Sequence, residues 1–170
     1  MNKELAKKIN RLADEDQEFR KKLKIGTKGN SKIDQKNTSE LKQIIKEYGW
    51  PTIPLVGKKA SHNAWLLAQH ADLDHKFQKK VLNMLRKIER IQPASVRLSN
   101  IAYLTDRVLV AENKKQEFGT QFFASKETGW KYIPRPIRDK KNLDVRRARY
   151  GLDGFESYVK IMGKKFVKIR

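Results

Sequence analysis

Cysteine is absent from the 170 residues, which excludes disulfide frameworks, thiolate metal sites, iron–sulfur clusters and thiol catalysis. Long apolar runs are missing too. The longest, AWLLA at residues 64–68, falls far short of the ~20 residues a membrane helix needs. The opening stretch MNKELAKKINRLADEDQEFR mixes both charges and has no apolar segment, so no secretory leader is expected. There is no Gly-rich phosphate loop, Walker signature or dinucleotide fingerprint, and no GxSxG elbow supports a Ser-His-Asp triad. Acidic residues are scarce: 19 Asp+Glu stand against 39 Lys+Arg, a formal net charge of +20. A soluble, cytoplasmic protein with no membrane role is expected.

That surplus of cations points to an anionic partner. Lys outnumbers Arg by 27 to 12, however, and bidentate reading of phosphates or base edges favours Arg. The cations are also spread along the chain, with 13 in residues 1–48, 9 in 49–106 and 17 in 107–170. The charge therefore has two readings. One is nucleic acid bound through basic loops at 20–36 and 135–149 and a tail at 160–170. The other is a compositional excess of Lys with no such role.

Apolar spacing marks out the elements. Leu5, Ile9, Leu12, Phe19 and Leu23 recur at helical intervals over 3–24, with Asp16 interrupting the stripe. Gly26 and GTKGNSK break this helix, predicting a mobile basic loop over 25–36. Asn37 and Glu40 have capping-box spacing for a second helix over 38–48, which Gly49 and Pro51 end. The prolines of WPTIPLVG predict extended backbone. Ser61 is placed as the cap of a third helix, SHNAWLLAQHAD, and Asp74 either caps a fourth or continues the same rod, which Pro93 ends. A fifth covers 100–112. QEFGTQFF and WKYIP then suggest a β-hairpin, and two short helices follow, with Gly151 as a C-cap. The fold class is α+β, predominantly helical. A single domain over 1–170 is expected: N-terminal helix and basic loop 1–36, core 37–152, basic C-terminal extension 153–170.

The third helix carries the chemistry. Its apolar residues surround nearly the whole circumference, so its polar residues need partners. His62, Trp65, Gln69 and Asp72 fall on one face, with His70 and Asn63 on its flank. Such a strip suits a proton-transfer group or a polar ligand; for each residue alone, a hydrogen-bonded core network is the alternative. His70 is the candidate base, with Gln69 and Asp72 orienting it. Because Asp72 is two positions away on a helix, a carboxylate partner must come from another segment, with Asp106 the first candidate. His62 and His70 are too far apart for a compact metal pair, and His75 is expected to be exposed. No metal or cofactor is predicted.

Asp106 and Arg107 interrupt the apolar IAYLTDRVLV, as a site pair or a structural ion pair. Gln116, Thr120 and Gln121 lie on the hairpin, where Gly119 is expected to form a bulge or a close backbone approach to the pocket. Arg146 and Arg147 could clamp a phosphate or carboxylate, or form a solvated helix face.

NTSELKQIIKEYGWPTIPLVG, SHNAWLLAQHADLD with FQKK, YLTDRVLV, QEFGTQF and VRRARYGL, in that order over residues 37–152, resemble a widespread bacterial domain family of unknown function. The family's recurring polar positions fall here on Trp50, His62, Trp65, Gln69, His70, Asp72, Gln78, Asp106, Arg107, Gln116, Gly119, Thr120, Gln121 and Arg147. That richness in His, Gln, Asp and Arg implies an active-site family. The resulting expectation is a small hydrolase or group transferase. His70, Gln69, Asp72 and Arg107 would do the chemistry. His62, Asn63, Trp65, Asp106, Gln116, Thr120, Gln121, Arg146 and Arg147 would hold an anionic, phosphate-bearing or nucleotide-like substrate. The alternatives are a nucleic-acid-binding protein or an interaction protein with an acidic partner.

Overall fold

Asn2 starts the first helix, α1 (Lys3–Lys21), by accepting the Leu5 N–H on its side-chain oxygen at 3.0 Å. The apolar stripe is buried at Leu5, Ile9 and Leu12, and Asp16 is buried in line with it. The computed structural model describes residues 1–22, 31–129 and 131–167. Among these the chain forms seven α-helices, one 3₁₀ turn and one two-stranded antiparallel sheet. The protein is a predominantly helical α+β protein. None of the described helices is long and apolar enough to cross a membrane.

The second helix, α2 (Ser31–Tyr48), starts well before the expected cap at Asn37. Ile33, Asn37, Leu41 and Ile44 form one continuous stripe, so the helix runs through Asn37 and buries it. Residues 31–36 of the expected loop are therefore helical; residues 23–30 lie outside the described residues. The prolines of WPTIPLVG hold the backbone extended only as far as Thr52, at φ −73° and ψ 162°; from Ile53 on it is helical. Thr52 precedes α3 (Ile53–Gln69), and Pro54 occupies its first turn, where a missing N–H costs nothing. Gly57 kinks α3 at φ 82°, a left-handed conformation open to glycine. Ser61 is thus interior to the helix rather than its cap.

Asp74 does cap α4 (His75–Ile91), accepting the Phe77 N–H at 2.9 Å. A 3₁₀ turn at Pro93–Ser95 follows, and then α5 (Leu98–Ala111). The hairpin pairs β1 (Phe122–Phe123) with β2 (Ile133–Pro134), Phe123 opposite Ile133. After α6 (Leu143–Arg149), Gly151 takes φ 66°. Its N–H reaches the Ala148 carbonyl, and the Leu152 N–H reaches that of Arg147. This pair of bonds is a Schellman stop. The last helix is α7 (Phe155–Val167).

The chain divides into two compact units at the Asn100–Ile101 bond. In the first, α1 and α2 pack on α3, as do α4 and the 3₁₀ turn. Its core includes Ile9, Leu41, Ala64, Leu67, Val81 and Leu85. The core of the second includes Ile101, Leu104, Val108, Phe118, Ile137 and Leu143.

Candidate functional site

Helix α3 ends at Gln69, so His70 is its C-cap and Asp72 lies beyond the helix, exposed. Asp72 therefore does not share a helical face with His62, Trp65 and Gln69. The end of α3 is held by Gln78 of α4, which is fully buried. Its side-chain amide donates to the Gln69 carbonyl at 2.9 Å and to an Asp72 oxygen at 3.1 Å. Carbonyls in the last turn of a helix lack intrahelical donors, and Gln78 supplies one. That contact fixes the backbone on which His70 sits.

His70 Nδ1 lies 2.7 Å from Oδ2 of Asp16, on α1. The Asp16 side chain is 1% exposed and that of His70 13%. The carboxylate partner does come from another segment, but it is Asp16 and not Asp106. Asp16 also accepts from Gln17 at 2.8 Å and from Arg20 Nε at 3.1 Å on both oxygens. Burial pushes the Asp16 carboxyl up. The bonds and positive charges of His70 and Arg20 outweigh burial and hold the pKa at about 2. Asp16 is thus an anion at neutral pH and can only accept. Nδ1 must carry the proton in this bond, so Nε2 is the ring nitrogen left to gain or lose one. His70 Nε2 makes no hydrogen bond among the described residues.

Arg20 continues the network to Asp34 of α2 at 2.5 Å. Burial raises the Asp34 carboxyl, against the pull of Arg20. Asp34 lines a cleft of about 260 Å³ with Thr38, Ser39, Lys42, Ala71 and Asp74. The cleft thus meets the His70–Asp16–Arg20–Asp34 chain at its Asp34 end, and Ala71, the residue after His70, also lines it. Lys42 and Asp74 form an ion pair at 2.6 Å on its wall.

Of the other predicted residues of α3, His62 and Asn63 have structural partners, whereas the buried Gln69 Oε1 has no hydrogen-bond partner among the described residues. His62 Nδ1 meets the Asn100 side-chain oxygen at 3.2 Å, and its ring stacks, tilted, 5.0 Å from buried Trp65. Burial lowers the His62 pKa, against the Asn100 bond. Asn63 donates to Asn10 at 2.8 Å, tying α3 to α1. Gln69 is half-buried, and His75 is exposed at the start of α4, with Nδ1 3.2 Å from Gln78.

In the second unit the predicted polar residues close on the chain itself. Asp106 is 0% exposed. Its carboxylate accepts the N–H of Glu117 at 2.7 Å, of Phe118 at 3.0 Å and of Thr120 at 2.9 Å, plus the Thr120 hydroxyl at 2.9 Å. Burial raises its pKa against those four donors. Buried Gln116 donates to the Gln121 and Arg135 carbonyls and accepts the Gln121 N–H. Gln121 is half-buried and donates to Thr120 Oγ1 at 3.1 Å.

Arg147 is 1% exposed, with its guanidinium on the carbonyls of Phe118 and Asp153 and over the Tyr158 ring at 5.0 Å. Burial lowers its pKa. The guanidinium expected to clamp an anion instead clamps main chain. Arg146 bonds the Glu117 carbonyl and pairs with Asp139 at 3.0 Å. Arg107 is half-buried in this same unit. Gly119, at φ 68°, makes a close approach, but to packed side chains rather than to a pocket: a Cβ there would lie 2.6 Å from the Phe155 ring.

Sequence reasoning missed Asp16, Arg20 and Asp34. The signal for the first two was present, since a carboxylate in an apolar stripe followed four residues later by Arg marks a buried ion pair. Among the described residues, no group of three or more His, Asp or Glu is arranged to hold a metal.

The fold and the His70 chain define a helical α+β protein with a histidine–aspartate pair at the end of a helix. Residues 17–169 match a family of unknown function, DUF6624, and the chain belongs to that family. No curated protein and no solved structure matches it.

Proposed function

We propose that the protein is a small cytoplasmic enzyme, a hydrolase or group transferase acting on an anionic, phosphate-bearing substrate, with His70 as general acid–base. The observation that carries this reading is the 2.7 Å bond from His70 Nδ1 to the buried, ionised Asp16. An anion on Nδ1 fixes the tautomer, directs the Nε2 lone pair outward and stabilises the imidazolium formed when Nε2 takes a proton. Arg20 and Gln17 keep Asp16 from rotating away. The cleft that Asp34 and Ala71 line offers Thr38 and Ser39 hydroxyls, and its carboxylates Asp34 and Asp74 are neutralised by Arg20 and Lys42. Nothing in this reading needs Arg107 or Arg147, which belong to the second unit.

Turnover of a panel of nucleoside phosphates and phosphodiesters by the wild type and His70→Gln tests it. Gln keeps hydrogen-bonding capacity but exchanges no proton at neutral pH. The expected result is a loss of at least ~100-fold in turnover with the variant still folded. Unchanged turnover in the folded variant, or no turnover of any member by the wild type, overturns the assignment.

A further inference from the structure

The Lys42–Asp74 ion pair stands where the cleft meets a longer trough on the first unit. That trough has a volume of about 520 Å³, with walls that include Lys46 of α2 and Lys76 and Lys80 of α4 over a floor of Ile45 and Phe77. Lys76 and Lys80 also line an adjoining open groove of about 500 Å³, bounded by α4 residues alone, which extends to Met84 and Lys87. On a helix, positions 76, 80 and 87 fall within a wedge of ~40°, and the stripe rises ~16 Å. Lys46, Lys76, Lys80 and Lys87 are all exposed, and none has an ion-pair partner among the described residues.

We infer that this trough binds the sugar–phosphate backbone of a single-stranded nucleic acid. Four unpaired cations, beside a single carboxylate, Asp74, that Lys42 already neutralises, match a regularly charged polyanion. Lys46 on the α2 side and Lys76 and Lys80 on the α4 side flank an apolar floor, and one strand can settle there with its bases against Ile45 and Met84. A duplex keeps its bases stacked inward and away from that floor. The cations are Lys, which read phosphate as point charges rather than through bidentate forks. Binding is therefore tolerant of sequence and steeply dependent on salt. This site goes beyond the reading of His70 and stands without it. It also differs from the basic segments that sequence pointed to: in 135–149, Arg138 pairs with Glu117, Arg146 pairs with Asp139 and Arg147 is buried.

The test separates the trough from net charge. A quadruple variant, Lys46→Gln, Lys76→Gln, Lys80→Gln and Lys87→Gln, is compared with a control that loses the same charge from exposed Lys58, Lys59, Lys115 and Lys126. Fluorescence anisotropy with a labelled oligouridylate, titrated with salt, is the readout. The trough variant is expected to bind at least ~10-fold more weakly, with a slope of log K on log[salt] reduced by about 3. The control and His70→Gln should stay within about twofold of wild type. Equal weakening of trough variant and control overturns the inference, as does tighter binding of the matching duplex or of an acidic peptide. Weak binding by His70→Gln overturns the independence of the two sites.

Discussion

Two buried aspartates, one in each unit, have opposite uses. Asp16 accepts from side chains, and one of them, His70, keeps a ring nitrogen with no hydrogen bond among the described residues. Asp106 accepts from three backbone amides and a hydroxyl of residues 117–120 and leaves nothing over. Partners on side chains can move protons and change charge; partners on the main chain only fix its path. The opposite shifts of the two carboxyls follow from this difference. Cationic donors pull Asp16 down to about 2, whereas burial prevails over neutral donors at Asp106. A buried carboxylate is a site candidate when its donors are ionisable, and a structural post when they are amides.

The largest effect expected from breaking this comparison is at Asp106. Asp106→Ala would leave the N–H groups of Glu117, Phe118 and Thr120 buried without an acceptor. Such groups cost ~1–3 kcal/mol each, so a loss of about 3–5 kcal/mol is expected in denaturant unfolding. Amide exchange should quicken first at those three residues; uniform exchange across the second unit would show that the loop does not depend on Asp106. Next comes Gly119→Val, which drives a Cβ into the Phe155 ring and Ile137 while holding a branched residue at φ 68°. Overpacking and backbone strain together predict a loss of about 2–4 kcal/mol. An unchanged Tm would show that the ring simply moves aside.

The Asp16 pair is tested through pH. Its folded pKa of about 2 lies below the ordinary value of 3.8. A depressed carboxyl contributes stability that is fully present above the ordinary value and lost as pH falls through the folded one. The contribution is about 2 kcal/mol. Asp16→Asn should flatten the fall in stability between these two pH values, and an unaltered profile would place the acid sensitivity elsewhere. The smallest effect is at the exposed Lys36–Glu15 pair, 3.1 Å apart. Lys36→Gln should change stability by no more than about 0.5 kcal/mol. A larger change would mean that surface charge, rather than the two buried aspartates, governs stability.

Much of the fold was legible because its signals are local. Asp74 caps α4, Gly151 stops α6, and the aromatic stretches after α5 pair as a hairpin, each decided by residues within one or two turns. The misread boundaries also had local causes. Asn37 looks like a cap only when Ile33 is left out of the stripe, and the prolines before Gly57 look extended only when the first helical turn is forgotten. The polar residues of 106–121 were correctly singled out as needing partners. Sequence could not say that those partners would be the amides of the same loop.

By itself, then, the sequence determined the helical α+β class, the ends of several helices, and the presence of His70 and Asp16 among apolar neighbours. These depend on hydrophobic period and on bonds that reach no further than a turn. Only the tertiary structure decided that Asp16 meets His70 across 54 residues, that Arg147 is buried on carbonyls, and that Lys46 of α2 and Lys76 and Lys80 of α4 line one trough. Each of these pairings is set by how helices stack. The direction and depth of a side chain in such a stack depend on every neighbour that excludes water from it, and no spacing within one segment records them.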